Sequence, residues 1–161
     1  MMMMLAHCVF WGLAATIVLT TILAASQGLG FTRMNVPFLL GTMVTPNRDR
    51  AKIYGAAMHL ATGIVFAWLY LLTFQFWHGA TWWKGAVVGF VHAAFILTCG
   101  LPLFPAIHPR MASELAGPTA TRQLEPPGFL GMHYGLRTPI SVALAHIVFG
   151  LILGTFLPHA E

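Results

Sequence analysis

The sequence predicts an all-α fold: an integral membrane four-helix bundle with two long cytoplasmic loops. Three observations lead there. Only 7% of the 161 residues are charged and 58% are hydrophobic, with a mean hydropathy of +0.77. A soluble domain carries about a quarter charged residues, so this chain lacks the polar surface to face water alone. Four stretches reach the roughly 20 apolar residues that a membrane-crossing helix needs. Seven of the eight Lys and Arg residues lie in just two of the segments between those stretches. The length suits one domain, residues 1–161.

The first span is expected over 5–25. It has no basic leader and no convincing cleavage site, so it reads as a retained helix rather than a signal segment. The loop that follows holds Arg33, Arg48, Arg50 and Lys52. Within it, NVPFLLGTMV (35–44) is apolar but too short to span, as interfacial or re-entrant segments are. The second span covers 53–76, with Asn47 or Asp49 as its cap. The link WHGATWWKG carries only Lys84, and its Trp77, Trp82 and Trp83 suit a membrane interface.

The third span covers 82–104, capped by Thr81. The segment from Pro105 to Arg137 is proline-rich and holds Arg110, Arg122 and Arg137 together with His108, Glu114, Glu125, Phe129, His133 and Tyr134. That content predicts a folded cap rather than a plain linker. The fourth span covers 139–157, opened by Thr138 as N-cap and Pro139 at the first helical position. Positive charge favours the cytoplasmic side. Both long loops are therefore expected in the cytoplasm and both termini outside.

Each span carries small residues four apart: Gly12-Thr16-Thr20, Gly63-Ala67, Gly85-Gly89 and Gly150-Gly154. Such stripes let helices approach closely in lipid, where packing rather than hydrophobic burial holds them together. Three histidines share those faces. His59 precedes Gly63 by four, His146 precedes Gly150 by four, and His92 follows Gly89 by three. Cys99, seven after His92, is expected on that face too. At about 1.5 Å of rise per residue, His92 and His146 lie near mid-membrane and His59 lies closer to the cytoplasm. His59-x3-Gly63-x3-Ala67 also matches His146-x3-Gly150-x3-Gly154, a faint internal repeat of two helix hairpins.

Intramembrane ionisable groups are candidates for function. The three histidines read as candidate ligands of haem b or of a transition metal, with His92 and His146 the best axial pair. They also read as structural groups bonded to Thr16, Thr20, Thr21 or a freed carbonyl. No carboxylate lies within a span, and His108, Glu114, Glu125 and His133 follow no metal-ligand spacing. Arg33, Arg48, Arg50, Lys52 and Arg137 are candidates for lipid headgroups, although topology alone would place them there. Cys8 and Cys99 imply neither disulfide nor zinc knuckle. No nucleic-acid motif is present.

The stretches FLLGTMVTPNRDRAKIYGAAMHLATGIVFAWLY, HPRMASE and PPGFLGMHYGLRTP resemble those of small uncharacterised bacterial four-span inner-membrane proteins. That resemblance implies a four-helix bundle in a bacterial inner membrane and assigns no catalytic residue. Three functions fit the sequence: an accessory or scaffold subunit of a membrane complex, a haem- or metal-binding redox or ligand-binding bundle, or a transporter of small solutes or lipids. Its partners would be membrane lipid, other membrane subunits or further copies of itself.

Overall fold

The computed structural model describes residues 2–157, with side chains from Met4 onward. The described chain is helical, with only isolated bridges in its loops. Helix α1 runs Met2–Gly28, α2 Val36–Val44, α3 Arg48–Phe76, α4 Trp82–Phe95, α5 Leu101–Ile107 and α6 Thr138–Phe156. A π-helical turn, Ile96–Gly100, joins α4 to α5 so that they form one rod. Four stretches are long and apolar enough to cross a membrane: Met4–Gly28, Arg48–Phe76, Trp82–Ile107 and Thr138–Phe156. Three run past the limits read from sequence: two because helical turns continue through polar ends, at 26–28 and 48–52, and the third because its helix continues through Pro105 to Ile107.

The small-residue stripes build the bundle in two pairs. A Cβ placed on Gly63 would collide with the Thr16 side chain, and one on Gly12 would meet the Ala67 Cβ at 2.9 Å. Helix α1 therefore lies directly on α3. In the second pair, a Cβ on Gly85 would strike the Gly150 carbonyl, one on Gly89 the His146 carbonyl, and one on Gly154 the Thr81 carbonyl. Helices α4 and α6 thus cross backbone to backbone. Going along α3, His59, Gly63 and Ala67 oppose Thr20, Thr16 and Gly12. Going along α6, His146, Gly150 and Gly154 oppose Gly89, Gly85 and Thr81 in the same four-residue steps. The sequence repeat is a repeat of packing register.

Helix α1 also packs along α6, which closes the bundle on that side. The opposite seam differs. Helices α3 and α4 are consecutive, yet they touch at few positions.

At the end that carries both long loops, α2 folds back onto the start of α3. Asn35 caps it by accepting from the Phe38 amide at 2.9 Å. Gly41 sits on the Ala51 backbone and Gly55 on the Pro37 carbonyl, so no side chain fits at either glycine. Asn47 caps α3 through the Asp49 and Arg50 amides, at 3.1 and 3.0 Å. The other two expected caps do not form. The Thr138 hydroxyl is inside α6 and bonds Thr32 across the loops at 2.7 Å, leaving Arg137 at the cap position. The Thr81 hydroxyl is buried without a partner, because the chain there is pressed against Gly154.

The segment between α5 and α6 is a folded cap. The Arg33 amide donates to the Tyr134 carbonyl at 2.6 Å, and its guanidinium pairs with Glu125 at 2.9 Å and donates to the His133 carbonyl. Tyr134 donates its hydroxyl to the Glu125 carbonyl at 2.6 Å. Two loops whose paired residues Arg33 and Glu125 lie 92 apart in sequence thus hold each other.

His108 is the buried pivot of that cap. Its Nε2 lies 3.0 Å from the Leu39 carbonyl and its Nδ1 accepts from the Arg110 amide at 3.1 Å. This fixes the neutral Nε2–H tautomer. Burial pushes the His108 pKa below its ordinary value, the Leu39 carbonyl opposes that, and Arg110 and Arg122 lower it further. The neutral form is the one the fold prefers. Its contribution is complete above the unfolded pKa of about 6.5 and declines as pH falls below it. We expect the thermal midpoint to drop between pH 7 and pH 5. That drop should shrink in His108→Gln, which can still donate to Leu39. An identical acid profile in both proteins would show that His108 does not set it.

Candidate functional site

The loop-side half of the bundle encloses a cavity of about 180 Å³ lined by all three of His59, His92 and His146. Its walls are otherwise largely apolar: of the two threonines that line it, Thr16 gives its hydroxyl proton to the Gly12 carbonyl and Thr62 to the Met58 carbonyl. Leu19 and Leu23 come from α1, Phe66 from α3, Val142 and Phe149 from α6, and Leu101 and Phe104 from α5. Met34, Val36, Leu39 and Leu40 close it from the loop end, so the segment at 35–44 serves as its floor.

Each histidine has one nitrogen tied down by the fold. Thr20 gives its hydroxyl proton to the Thr16 carbonyl at 2.7 Å, so His59 Nδ1, 3.2 Å away, must be the donor to Thr20 Oγ1. His146 Nδ1 donates to the Val142 carbonyl at 2.8 Å. These two bonds leave Nε2 of both rings as bare acceptors. His92 Nδ1 lies 3.2 Å from the Tyr70 hydroxyl, which makes no other bond. With the phenol donating, His92 Nε2 carries its proton, and that atom is buried without a partner. The head of the cavity thus combines two acceptor nitrogens with one donor.

The rings also pack on one another. His92 meets His146 edge to face with centroids 4.6 Å apart, and Phe66 covers His92 at 4.0 Å. The shared depth expected for His92 and His146 is therefore a direct contact. That contact does not fit the axial haem pair proposed from sequence. Metal–imidazole bonds of about 2 Å set two opposed axial nitrogens about 4 Å apart, with ring centroids farther still and a porphyrin between them. Here the rings touch, and no disc fits. Among the described residues, no three His, Cys, Asp or Glu side chains are grouped to hold a metal ion.

Comparison with known proteins finds no matching family model, no matching curated protein and no matching solved structure. The geometry alone therefore carries the functional argument.

The π turn borders the cavity through Ile96 and Gly100. Proline supplies its cause: Pro102 has no amide proton and its ring crowds the carbonyl four residues back. The helix answers by widening, and the Leu101 amide bonds to the Ile96 carbonyl instead. π turns inside α-helices recur at functional sites. The extra residue also rotates the rod, which corrects one expectation: Cys99 is exposed rather than on the His92 face.

The thinly packed side of the cavity is the α3–α4 seam. Thr62 and Phe66 line it from α3, and His92, Ile96 and Gly100 from the other rod. The Tyr70–His92 bond and the Phe66–His92 stack are the clasp where that seam does close. Tyr70 and Phe66 were not among the residues singled out from sequence. Tyr70 was detectable, being seven after Gly63 and so on the same face.

The five headgroup candidates separate. Arg33 is taken by Glu125, and Lys52 pairs with Asp49 at 3.1 Å. Arg137 lies over the Phe31 ring at 4.9 Å and Arg48 over Phe38 at 5.6 Å. Arg50 does not line the loop-end cleft described below.

Proposed function

We propose that this chain is a membrane-embedded binding protein for a small apolar molecule bearing one hydrogen-bonding head, such as a phenolic or alcoholic hydroxyl. The observation that carries this reading is the cavity itself: a largely apolar chamber whose nitrogens without a partner are Nε2 of His59, His92 and His146, the lining Thr16 and Thr62 hydroxyls being bonded to their own helices. A hydroxyl can donate to an acceptor imidazole and accept from the His92 N–H, which would relieve a buried orphan. The size is comparable to engineered apolar cavities of about 150 Å³ that take up benzene. The thin α3–α4 seam gives such a molecule a path from the bilayer.

The scaffold reading receives less support. Its main sequence feature was the small-residue stripes, and all four meet each other inside this chain. None is left to recruit a partner helix.

The test uses 4-ethylphenol and 4-ethyltoluene, isosteres that differ in the hydroxyl. Affinities are measured for protein in lipid nanodiscs and referred to ligand dissolved in the membrane. We expect the phenol to bind about tenfold more tightly, as one satisfied hydrogen bond gives, and His146→Phe, which removes one of the two acceptors, to narrow the difference. Equal affinity of the two probes for the unmodified protein would overturn the reading.

We further propose that both long loops face the cytoplasm of a bacterial cell, with both termini outside. The support is the clustering of seven of eight Lys and Arg at the loop end and the resemblance noted above. In Pro126→Cys, with Cys8 and Cys99 replaced, a membrane-impermeant maleimide should label only inverted vesicles. Labelling of intact cells would reverse the orientation.

A further inference from the structure

A second cleft, separate from the histidine cavity, opens at the loop end between α2 and the cap. Phe38, Thr42 and Arg48 form one wall, and Arg110, Thr121 and Gln123 the other. We propose that it binds a phosphate-bearing anion through Arg48 and Arg110. Two guanidinium groups face this space and no carboxylate lines it. The nearby acids are committed elsewhere, Asp49 to Lys52 and Glu125 to Arg33.

Both arginines are held in place by contacts that leave donors free. Arg110 gives one terminal nitrogen to the Thr42 carbonyl at 2.6 Å and the Met43 carbonyl at 3.3 Å. Its remaining guanidinium nitrogens make no bond to the described residues. Arg48 rests over the Phe38 ring, and its side chain has no hydrogen bond or acid partner among the described residues. A planar guanidinium matches phosphate oxygens with paired hydrogen bonds, which a diffuse positive surface does not offer. Thr121 and Gln123 add neutral donors. The cleft lies at the end of helices of membrane-spanning length, within reach of headgroups, and is equally open to a soluble phosphate ester.

The experiment has two arms on the full chain in detergent. In the first, native mass spectrometry compares retention of phosphatidylglycerol with phosphatidylcholine. In the second, glycerol 3-phosphate is titrated without lipid. A preference for phosphatidylglycerol identifies a lipid headgroup, and binding of glycerol 3-phosphate alone identifies a soluble ester. In either case Arg48→Gln should lower affinity about tenfold. Arg48 makes no bond that the fold needs, so this variant should fold normally, as its thermal midpoint will show. Thr121→Val should give a smaller loss, and Arg50→Gln, outside the cleft lining, no loss. An equal loss in Arg50→Gln and Arg48→Gln would mean general charge attraction and would overturn the site. So would failure of both ligands to distinguish Arg48→Gln from the unmodified protein.

Discussion

Gly150→Leu should unfold the bundle or lower its stability by about 3 kcal/mol or more. Overpacking a side chain commonly costs about 1–3 kcal/mol because neighbouring rotamers yield. At Gly150 nothing can yield, since the new Cβ would enter the Gly85 carbonyl and crowd the Gly89 backbone, which it would meet at 3.0 Å. Helices α4 and α6 would have to separate along the seam that holds the second hairpin. Gly85→Leu meets the same contact from the other side and should cost a similar amount. Leu151→Ala removes a side chain that is 38% exposed on the outer face, and should cost about 0.5 kcal/mol. Thermal unfolding of the three variants in one detergent checks this. Equal midpoints for Gly150→Leu and Leu151→Ala would mean that the stripes do not carry the packing.

The stripes were legible because lipid removes the usual hydrophobic bias from a helix face and leaves small residues as the signal of contact. Gly63, Gly85, Gly89 and Gly150 could therefore be placed on interfaces, and His59, His92 and His146 with them, from spacing alone. The existence of a folded cap was readable from the aromatic and titratable residues between Pro105 and Arg137. Other features depend on long-range geometry. Nothing local says that α3 and α4 stand apart while α1 and α6 pack, so the cavity between them was not foreseen. The π turn required weighing Pro102 against a helix that continues past it, and missing that turn misplaced Cys99. Thr138 looks like an N-cap in its own segment, and only the arrival of Thr32 from the other loop redirects its hydroxyl. The ring contact of His92 and His146, which does not fit an axial pair, was hidden for a related reason. Depth along a helix can be counted in sequence, but the distance between two rings on crossing helices depends on how closely Gly89 lets the backbones approach.

The floor of the cavity supplies the second large effect. Gly55→Leu should lower affinity for 4-ethylphenol by more than about tenfold while leaving the four long helices assembled. A Cβ at residue 55 would enter the Pro37 carbonyl, and the Gly41 amide would lie 2.9 Å away. Helix α2 must then lift from α3. Its Val36, Leu39 and Leu40 form the loop-end wall of the cavity, so lifting it admits water to an apolar chamber. Loss of Leu39 from position also releases the His108 hydrogen bond and the Arg110 contacts with Thr42 and Met43. The Gly63–Thr16 and Gly85–Gly150 crossings lie elsewhere along the helices and keep their contacts. Hydrogen exchange should therefore rise over 36–44 and stay slow in α4 and α6. The contrast with Gly150→Leu separates the two roles of glycine in this chain, one holding the hairpins together and one seating the floor. Unchanged phenol affinity in a Gly55→Leu protein whose 36–44 segment exchanges freely would show that α2 does not close the binding chamber.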